Sequence, residues 1–339
     1  MGAAAASECH SFDRSPSAPA DVGTSAELGV NVVSICVCTK GRREDFVRCL
    51  TSLLSQRLNV SNYLFRIIVV DNSVERDAFE SVQALLEVNA QIVYVHEPRP
   101  GIPAARNAAL NAAVDIQSNW IAFIDDDEVA PSRWLESLLG EAEQSQADVI
   151  HGTVHRSATR DEIDRLAANW RPDGQPSFIE RTNKAATNNV IFRAWLAAAP
   201  VSLRFDENMR DRGGSDGEFF MRANDLGASI VRTSGALVFE TWAAERETLT
   251  YSSLRAYRVG ANCNYRYRKN RSWPLASALL VARSVERVGT GSARLVLAVC
   301  LLCVSQERAR RMFRQSVLDF CFASGCLLPF IGLAPKTYR

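Results

Sequence analysis

The sequence predicts an α/β fold with a mostly parallel central sheet flanked by helices, followed by a C-terminal helical region. Two observations predict it. Short apolar runs rich in β-branched residues alternate with segments of helical periodicity, and each run stops at a polar cluster. After about residue 250 this alternation ends, and basic, aromatic and apolar segments follow. We therefore expect one α/β domain over residues 31–250 and a helical region over residues 251–339.

The strands and helices of the first half follow from these patterns. The predicted strands are residues 32–38, 65–70, 92–95 and 120–124, and the predicted helices between them are residues 45–55, 78–88 and 102–113. Strand–helix–strand units of this length are typical of parallel crossovers. Beyond residue 148 the alternation weakens. Strand-like pieces at 149–154 and 189–192, followed by a helix at 219–226, predict a second half with a mixed arrangement.

Composition limits the classes of function. The 339 residues include 39 Lys and Arg against 38 Asp and Glu, a net charge of +1, so we expect no nucleic-acid partner. The nine cysteines lack the paired spacing of zinc sites or extracellular disulfide frameworks, which predicts reduced core thiols in a cytoplasmic protein. Residues 1–30, rich in Ala, Ser and Pro, lack the pattern of a signal peptide and predict a disordered leader.

Polar clusters follow three of the predicted strands. In open parallel sheets ligands bind outside the carboxyl ends of the strands. These ends carry Thr39-Lys40, Asp71-Asn72 and the acidic run Asp125-Asp126-Asp127-Glu128. Grouped carboxylates repel one another unless a cation offsets their charge. Asp125 and Asp127 therefore suit Mg²⁺ or Mn²⁺, although a solvated acidic turn or an N-cap for a helix at 132–139 explains the same run.

Three further segments carry weaker signals. Asp71 could bind a base or ribose, but Asp-Asn-Ser is also an ordinary turn. Residues 99–107 start a helix after a turn, so its N–H groups and Arg106 could approach a diphosphate, unless they form a simple helix cap. Asp216, in the Gly-rich acidic stretch 213–218, heads a helix and could likewise be an N-cap carboxylate.

Five motifs occur in one order along the chain, at residues 34–42, 68–72, 99–107, 120–128 and 213–220. Together they resemble the inverting family 2 glycosyltransferases of the GT-A fold, particularly their succinoglycan-biosynthesis (ExoM-like) type. The resemblance implies a nucleotide-diphospho-sugar transferase fold. It implies a nucleotide-sugar donor on residues 31–130 and a glycan or polyprenyl-linked acceptor on residues 131–250.

The resemblance also implies roles for individual residues. Asp216 would be the catalytic base, and Asp125 and Asp127 would form the Asp-x-Asp motif that binds Mg²⁺ or Mn²⁺. The donor-binding residues would be Thr39, Lys40, Arg42, Asp71, Asn72, Arg106, Asp125 and Asp126. Two departures stand out: residues 39–42 lack the usual aromatic residue and Asn, and Glu240 stands where many relatives carry a metal-binding His. Glu240 is thus a candidate third metal ligand.

Two other functions compete with this interpretation. A nucleotidyltransferase that makes a nucleotide sugar would need a Gly-rich, basic phosphate loop after the first strand, and residues 39–43 are a poor version of one. A noncatalytic sugar-binding relative is disfavoured because the Asp-x-Asp pair and Asp216 are both present. A processive synthase is disfavoured because no Gln-x-x-Arg-Trp sequence follows.

The C-terminal region contains short apolar segments, at 275–281, 295–304 and 317–333, with arginines on both sides. The first two are shorter than the roughly 20 residues that span a bilayer. They predict either membrane-interfacial helices, or a helical hairpin packed on the catalytic domain, or a dimer contact. A lipid-linked acceptor would favour the membrane, and would place the protein on the cytoplasmic face of the inner membrane.

Overall fold

A computed structural model describes residues 30–59, 62–86, 89, 91–171, 177–242 and 248–333. The predicted leader lies outside the described residues, apart from Val30. The first half has strands β1 (Asn31–Thr39), β2 (Tyr63–Asp71), β3 (Ile92–His96) and β4 (Trp120–Asp125), with helices α1 (Arg43–Leu54), α2 (Phe79–Leu86) and α3 (Ile102–Asp115) between them. β1 pairs in parallel with β2 and β4, and β2 with β3, which confirms the predicted parallel unit.

The second half is mixed, as the sequence predicts. Its elements are β5 (Glu128–Val129), α4 (Trp134–Ser145), β6 (Val149–Ser157), α5 (Arg160–Asn169), β7 (Ile179–Thr182), β8 (Val190–Arg193), α6 (Ser215–Asp225) and β9 (Ile230–Thr241). The sheet order is β3-β2-β1-β4-β8-β6-β9-β5, with β7 paired to β9. β8 runs antiparallel to both β4 and β6, whereas β6 and β9 are parallel. The sheet is thus parallel on one side and mixed on the other.

Apolar side chains cover both faces of the sheet. On β1, Val33, Ile35 and Val37 face a cluster that includes Trp134 of α4, while Cys36 faces the opposite cluster, which includes Phe219 of α6. Strands covered on both faces read as continuous apolar runs, which is why β1, β2 and β4 are recognisable in the sequence. Each fully buried large side chain contributes about 1.5–3 kcal/mol through loss of exposed apolar surface.

Three helices form the C-terminal region: α7 (Leu249–Asn270), α8 (Trp273–Leu301) and α9 (Gln306–Leu327). α9 packs tightly on α7, and Gly260 lies at a close approach of the two helices. A Cβ added at Gly260 would lie 2.1 Å from the Phe322 carbonyl oxygen. α9 is also joined to α8, where the buried Asp319 accepts hydrogen bonds from Arg287 and Arg294.

One sequence expectation for this region is wrong. The apolar segments at 275–281 and 295–304 are not separate short helices, because residues 273–301 form one continuous helix. The residues between the segments continue the same packed face: Ser284 and Gly291 are buried, and a Cβ at Gly291 would lie 3.2 Å from Asp319 Cβ on α9. Across the described residues, none of the helices has the length and apolar character that crossing a membrane requires.

The eight cysteines in the described part of the chain form no disulfide. Cys36, Cys49, Cys263 and Cys326 are buried, as expected of core thiols. Cys300 and Cys303 are exposed, contrary to expectation. In the apolar run that contains them, only Ala298 is buried.

Candidate active site

The acidic run lies at the carboxyl ends of β1 and β4, where the parallel register aligns them. Cys38 pairs with Asp125, and Thr39 pairs with Asp71 on the neighbouring strand. The hydroxyl of Thr39 donates to Asp126 Oδ2 at 2.7 Å. This register brings three sequence-predicted site residues, Thr39, Asp125 and Asp126, to one edge of the sheet.

Arg42, in the loop after β1, forms ion pairs with the acidic run. Its Nη1 lies 2.6 Å from Asp127 Oδ2 and 3.3 Å from Asp126 Oδ1. The Arg42 side chain is 49% exposed, so its guanidinium also faces solvent beside these carboxylates. It therefore supplies positive charge at the mouth of the site.

The acidic run is not a helix cap. Helix α4 begins at Trp134 with Arg133 at its N-cap position, and no side chain caps it. Asp126 is 7% exposed and Glu128 is 1% exposed, so these two carboxylates are not part of a solvated turn, whereas the Asp125 side chain is 46% exposed.

Asp125 has an unusual environment at the end of β4. Its side chain is 46% exposed, yet surrounding protein atoms desolvate its carboxyl and raise its pKa to about 6. Arg106 opposes this rise, while Asp127, Asp126 and Asp216 add to it. Desolvation and the neighbouring carboxylates disfavour the charged form of Asp125, and a bound cation would stabilise that form.

Arg106 connects Asp125 with the start of helix α6. Its Nη2 lies 3.9 Å from Asp125 Oδ1, and its Nη1 lies 3.3 Å from the hydroxyl of Ser215, the first residue of α6. Only 12% of the Arg106 side chain is exposed, and its guanidinium also lies over the ring of Phe205 at 5.6 Å. The Arg106 position predicted from the sequence is thus inside the site, between the acidic run and α6.

Asp216 is the second residue of α6 and is not its N-cap, a position that Gly214 occupies. Asp216 Oδ1 accepts a hydrogen bond from the Gly217 amide at 2.8 Å. Helix α6 is anchored from behind by Phe219, which is fully buried and stacks on Phe205 at a centroid distance of 4.3 Å. This packing fixes the end of the helix that carries Asp216.

His151 on β6 lies within electrostatic reach of Asp216. Burial first, and then the charge of Arg232, lower the pKa of His151 to about 4, while Asp216 opposes both effects. His151 is therefore neutral near pH 7, where it can donate or accept a hydrogen bond but carries no charge. His151 could not be selected from the sequence, because a single His in a strand does not indicate which residues lie beside it.

Asp71 and Asn72 have internal partners in this structure. Both oxygens of the fully buried Asp71 accept hydrogen bonds, from the amide and hydroxyl of Ser73, the amide of Ala78 and the hydroxyl of Tyr94. The Asn72 amide donates to the carbonyls of residues 97 and 99. The two residues organise the loops after β2 and β3, and direct donor binding by Asp71 would require it to exchange one of these bonds.

A cavity of about 540 Å³ opens beside these loops. Its walls come from the β1 loop and from the segment after β2, and include Thr39, Gly41, Arg42, Arg76 and Phe79. Thr39 and Arg42 line the cavity and also contact the acidic run, so the cavity borders the predicted donor site. Lys40, in the same loop, is exposed.

Residues 34–200 match the family description "Glycosyl transferase family 2". The chain carries a family 2 glycosyltransferase domain. The match covers the first four of the five motifs and confirms the family resemblance, so the protein is a glycosyltransferase.

Curated relatives agree with this assignment. The glycosyltransferase is 28% identical over 302 residues to the succinoglycan biosynthesis protein ExoM of Rhizobium meliloti, a match that covers 87% of this chain and 93% of ExoM. It is 27% identical over 190 residues to the uncharacterized glycosyltransferase EpsJ of Bacillus subtilis, and spans 53% of that protein. A crystal structure of S. aureus TarS matches with a TM-score of 0.47 at 15% identity, over 86% of this chain and 54% of the TarS chain.

The donor atoms of the glycosyltransferase site fit a divalent cation held partly by substrate. Buried Glu128 Oε1 has no hydrogen-bond partner, and burial together with the charge of Asp125 raises the pKa of Glu128 well above its ordinary value. Carboxyl groups are therefore crowded beside Asp125 and Asp127, and a cation there would stabilise their charged forms. Mg²⁺ and Mn²⁺ commonly take one or two protein carboxylates and complete their shell with phosphate and water. Asp125 and Asp127 match that number of ligands, although Asp127 Oδ2 is paired with Arg42.

Glu240 is not supported as a third ligand. In the part of the chain that the structure describes, three His, Cys, Asp or Glu side chains do not come together in a metal-binding group. Glu240 pairs with Glu128 across β5 and β9, so the sequence placed it near the acidic run correctly. Its Oε2, however, accepts a hydrogen bond from Arg156 Nε at 2.9 Å, which offsets its charge locally.

Proposed function

We propose that the glycosyltransferase moves a sugar from a nucleoside diphosphate sugar to a hydroxyl of a glycan or polyprenyl-linked acceptor during polysaccharide biosynthesis, with inversion at the anomeric carbon. The observation that carries this proposal is the position of Arg106, which joins the end of β4 to the start of α6. Arg106 contacts both Asp125 and the residue before Asp216, and the charge of Asp216 helps to raise the pKa of Asp125, so the two carboxylates lie within electrostatic reach of each other.

The acidic run and Arg106 would hold the diphosphate end of the donor. Asp125 and Asp127 would bind Mg²⁺ or Mn²⁺, which supplies positive charge to the departing nucleoside diphosphate. Arg42 and Arg106 would add charge-assisted hydrogen bonds to the phosphate oxygens. Thr39 and Arg42 border the cavity beside the β1 loop, which is large enough to accept a nucleoside.

Asp216 would act as the general base. Its carboxylate takes the proton from the acceptor hydroxyl as that oxygen attacks the anomeric carbon from the face opposite the diphosphate. One carbon–oxygen bond forms while the bond to the diphosphate oxygen breaks, and its electron pair leaves with the nucleoside diphosphate. A single displacement of this kind inverts the anomeric configuration.

The experiment compares two carboxylates of the same helix. Sugar nucleotides carrying UDP, GDP or dTDP are screened by thermal shift with Mn²⁺, and the best donor is used to measure release of nucleoside diphosphate. Asp216→Asn should abolish release and leave donor affinity unchanged, whereas Asp225→Asn, exposed at the other end of α6, should be fully active. Normal release by Asp216→Asn would overturn the assignment of the base.

We further infer that α8 contacts an anionic membrane surface on the cytoplasmic side of the inner membrane. Val281, Val285, Val288, Val296 and Val299 lie on one face of α8 and are 44–65% exposed. They lie on a different side of the helix from the buried positions, and the charged residues of α8 (Arg283, Glu286, Arg287 and Arg294) lie off this face.

Charge favours a lipid surface as the occupant of this face. The exposed arginines Arg308, Arg310 and Arg311 follow directly in the first turns of α9. An apolar helix face with basic residues beside it binds interfaces that contain anionic lipid. This location would bring a lipid-linked acceptor to the enzyme.

Vesicle sedimentation tests the membrane contact. Binding to vesicles containing phosphatidylglycerol should be lost in a Val285→Glu, Val296→Glu variant and retained in Thr290→Glu, which adds a charge to another face of α8. If the double variant sediments like the unmodified enzyme, α8 does not bind the membrane. If it instead dissociates a dimer seen by light scattering, a second copy covers the face.

A further inference from the structure

Helix α7 of the C-terminal region contacts the turn that begins α6. The side-chain amide of Asn262 donates hydrogen bonds to the carbonyl oxygens of Gly213, at 2.8 Å, and of Arg212, at 3.4 Å. Asn262 is only 9% exposed. The contact therefore ties a buried amide of α7 directly to the backbone three and four residues before Asp216.

The geometry of this turn leaves little room for variation. Gly213 and Gly214 have φ values of 71° and 76°, in the left-handed region that favours glycine. A Cβ added at Gly214 would lie 2.8 Å from Asn262 Nδ2. Because Gly214 is the N-cap residue of α6, the direction in which the helix starts depends on a turn that Asn262 holds.

A separate set of contacts attaches α7 to the catalytic domain. Lys269 Nζ lies 2.6 Å from Asp206 and 3.5 Å from Glu218, and the Tyr265 hydroxyl donates to Asp206 at 2.8 Å. The Glu218 side chain is fully buried and also pairs with Arg222. Removing a partner from such a network leaves a buried charge without compensation, so these residues carry stability.

Asn262 differs from the residues of that network in its charge and in its hydrogen-bond partners. It is neutral, and its partners are the carbonyls of the turn, not the side chains that fasten α7. On α3, Arg106 contacts the hydroxyl of Ser215, the residue directly after the same turn. Asp216 thus follows a turn fixed between α3 and α7.

We propose that Asn262 is a positioning residue for catalysis, and that the C-terminal region completes the active site by holding the turn that aims Asp216. This inference rests on the proposed role of Asp216 as the base. It gives helix α7 a part in the reaction in addition to any part in localisation.

Asn264 provides a matched control on the same helix. It is 2% exposed, and its side-chain amide also donates to a backbone carbonyl, that of Cys326 on α9, at 2.7 Å. Asn262→Leu and Asn264→Leu therefore remove the same kind of buried hydrogen bond from α7. Only the first of these bonds acts on the turn before Asp216.

The test measures nucleoside diphosphate release and hydrogen exchange in the full-length chain. With the donor selected by thermal shift in Mn²⁺, Asn262→Leu should lower kcat 10- to 100-fold with the donor KM unchanged within twofold. Asn264→Leu should keep kcat within threefold. Amide exchange of residues 213–218 should accelerate in Asn262→Leu and remain unchanged in Asn264→Leu.

Contrary outcomes separate this inference from the proposed function. Unchanged kcat and unchanged exchange in Asn262→Leu would overturn the positioning role, even if Asp216→Asn is inactive. If both leucine variants lose kcat equally and in proportion to their loss of thermal stability, Asn262 has only a structural role. Full activity of Asp216→Asn would instead refute the proposed base itself.

Discussion

Arg106 places a guanidinium nitrogen 3.9 Å from Asp125 Oδ1, so a helix on one face of the sheet supplies positive charge to the end of strand β4. The same guanidinium reaches Ser215 on α6. One largely buried side chain therefore connects the donor-side carboxylate with the helix that carries Asp216.

Replacing Arg106 should weaken donor binding. Arg106→Gln removes the cation that lowers the pKa of Asp125, so this pKa should rise further above about 6 and the charged fraction near neutral pH should fall. We expect kcat/KM for the donor to fall at least tenfold. Arg210→Gln is the control, because Arg210 is 58% exposed and pairs with Asp211. Equal activity of the two variants would contradict a role for Arg106.

Replacing Asp71 should destabilise the fold. Asp71→Asn directs an amide group at hydrogen-bond donors in a fully buried position, which should cost about 2–4 kcal/mol of unfolding free energy. Tyr94→Phe removes one donor and should cost about 1 kcal/mol. Urea denaturation measures both. If Asp71→Asn keeps its stability and loses donor affinity, the nucleoside role implied by the resemblance is correct.

Stability should fall in acid partly through His151. Its folded pKa of about 4 lies below the unfolded value near 6.5, so the unfolded chain binds the proton more readily. The stability that His151 contributes is fully present above about pH 6.5 and is lost as the pH falls toward 4. The loss in unfolding free energy is at most about 3 kcal/mol. His151→Gln should reduce the difference in unfolding free energy between pH 7 and pH 5.

His155→Gln serves as the control for that measurement. His155 lies on the same strand and packs its ring 5.6 Å from that of Phe239. This variant leaves His151 in place and should keep the wild-type pH dependence. An unchanged pH dependence in His151→Gln would show that His151 is not held neutral.

The sequence predicted the parts of the fold that local patterns encode. The strands at residues 32–38 and 120–124 were recognisable because helices cover both faces of the sheet there, and the acidic run was recognisable because it follows a buried strand. The short strand β5 was not predicted, because two residues, Glu128 and Val129, carry no periodicity. The two apolar segments of α8 were separated because charged residues between them masked one continuous packed face.

The residues of the site also divide into those that the sequence reveals and those that it does not. Thr39, Arg42, Arg106 and the acidic run could be selected because each follows a strand or opens a helix. Asn262 could not be selected, because its partners lie about 50 residues earlier and are backbone carbonyls. A motif reports the residue types in one segment, whereas such contacts depend on how distant segments pack.

Metal-dependent binding of a nucleoside diphosphate tests the account most directly. Titration calorimetry with UDP, GDP and dTDP should show that at least one binds in the presence of Mn²⁺ and that EDTA abolishes the binding. Asp125→Asn should weaken that binding at least tenfold, while Asp115→Asn, exposed at the end of α3, should not change it. Absence of any Mn²⁺-dependent binding, or equal binding by Asp125→Asn, would contradict the assignment of this site.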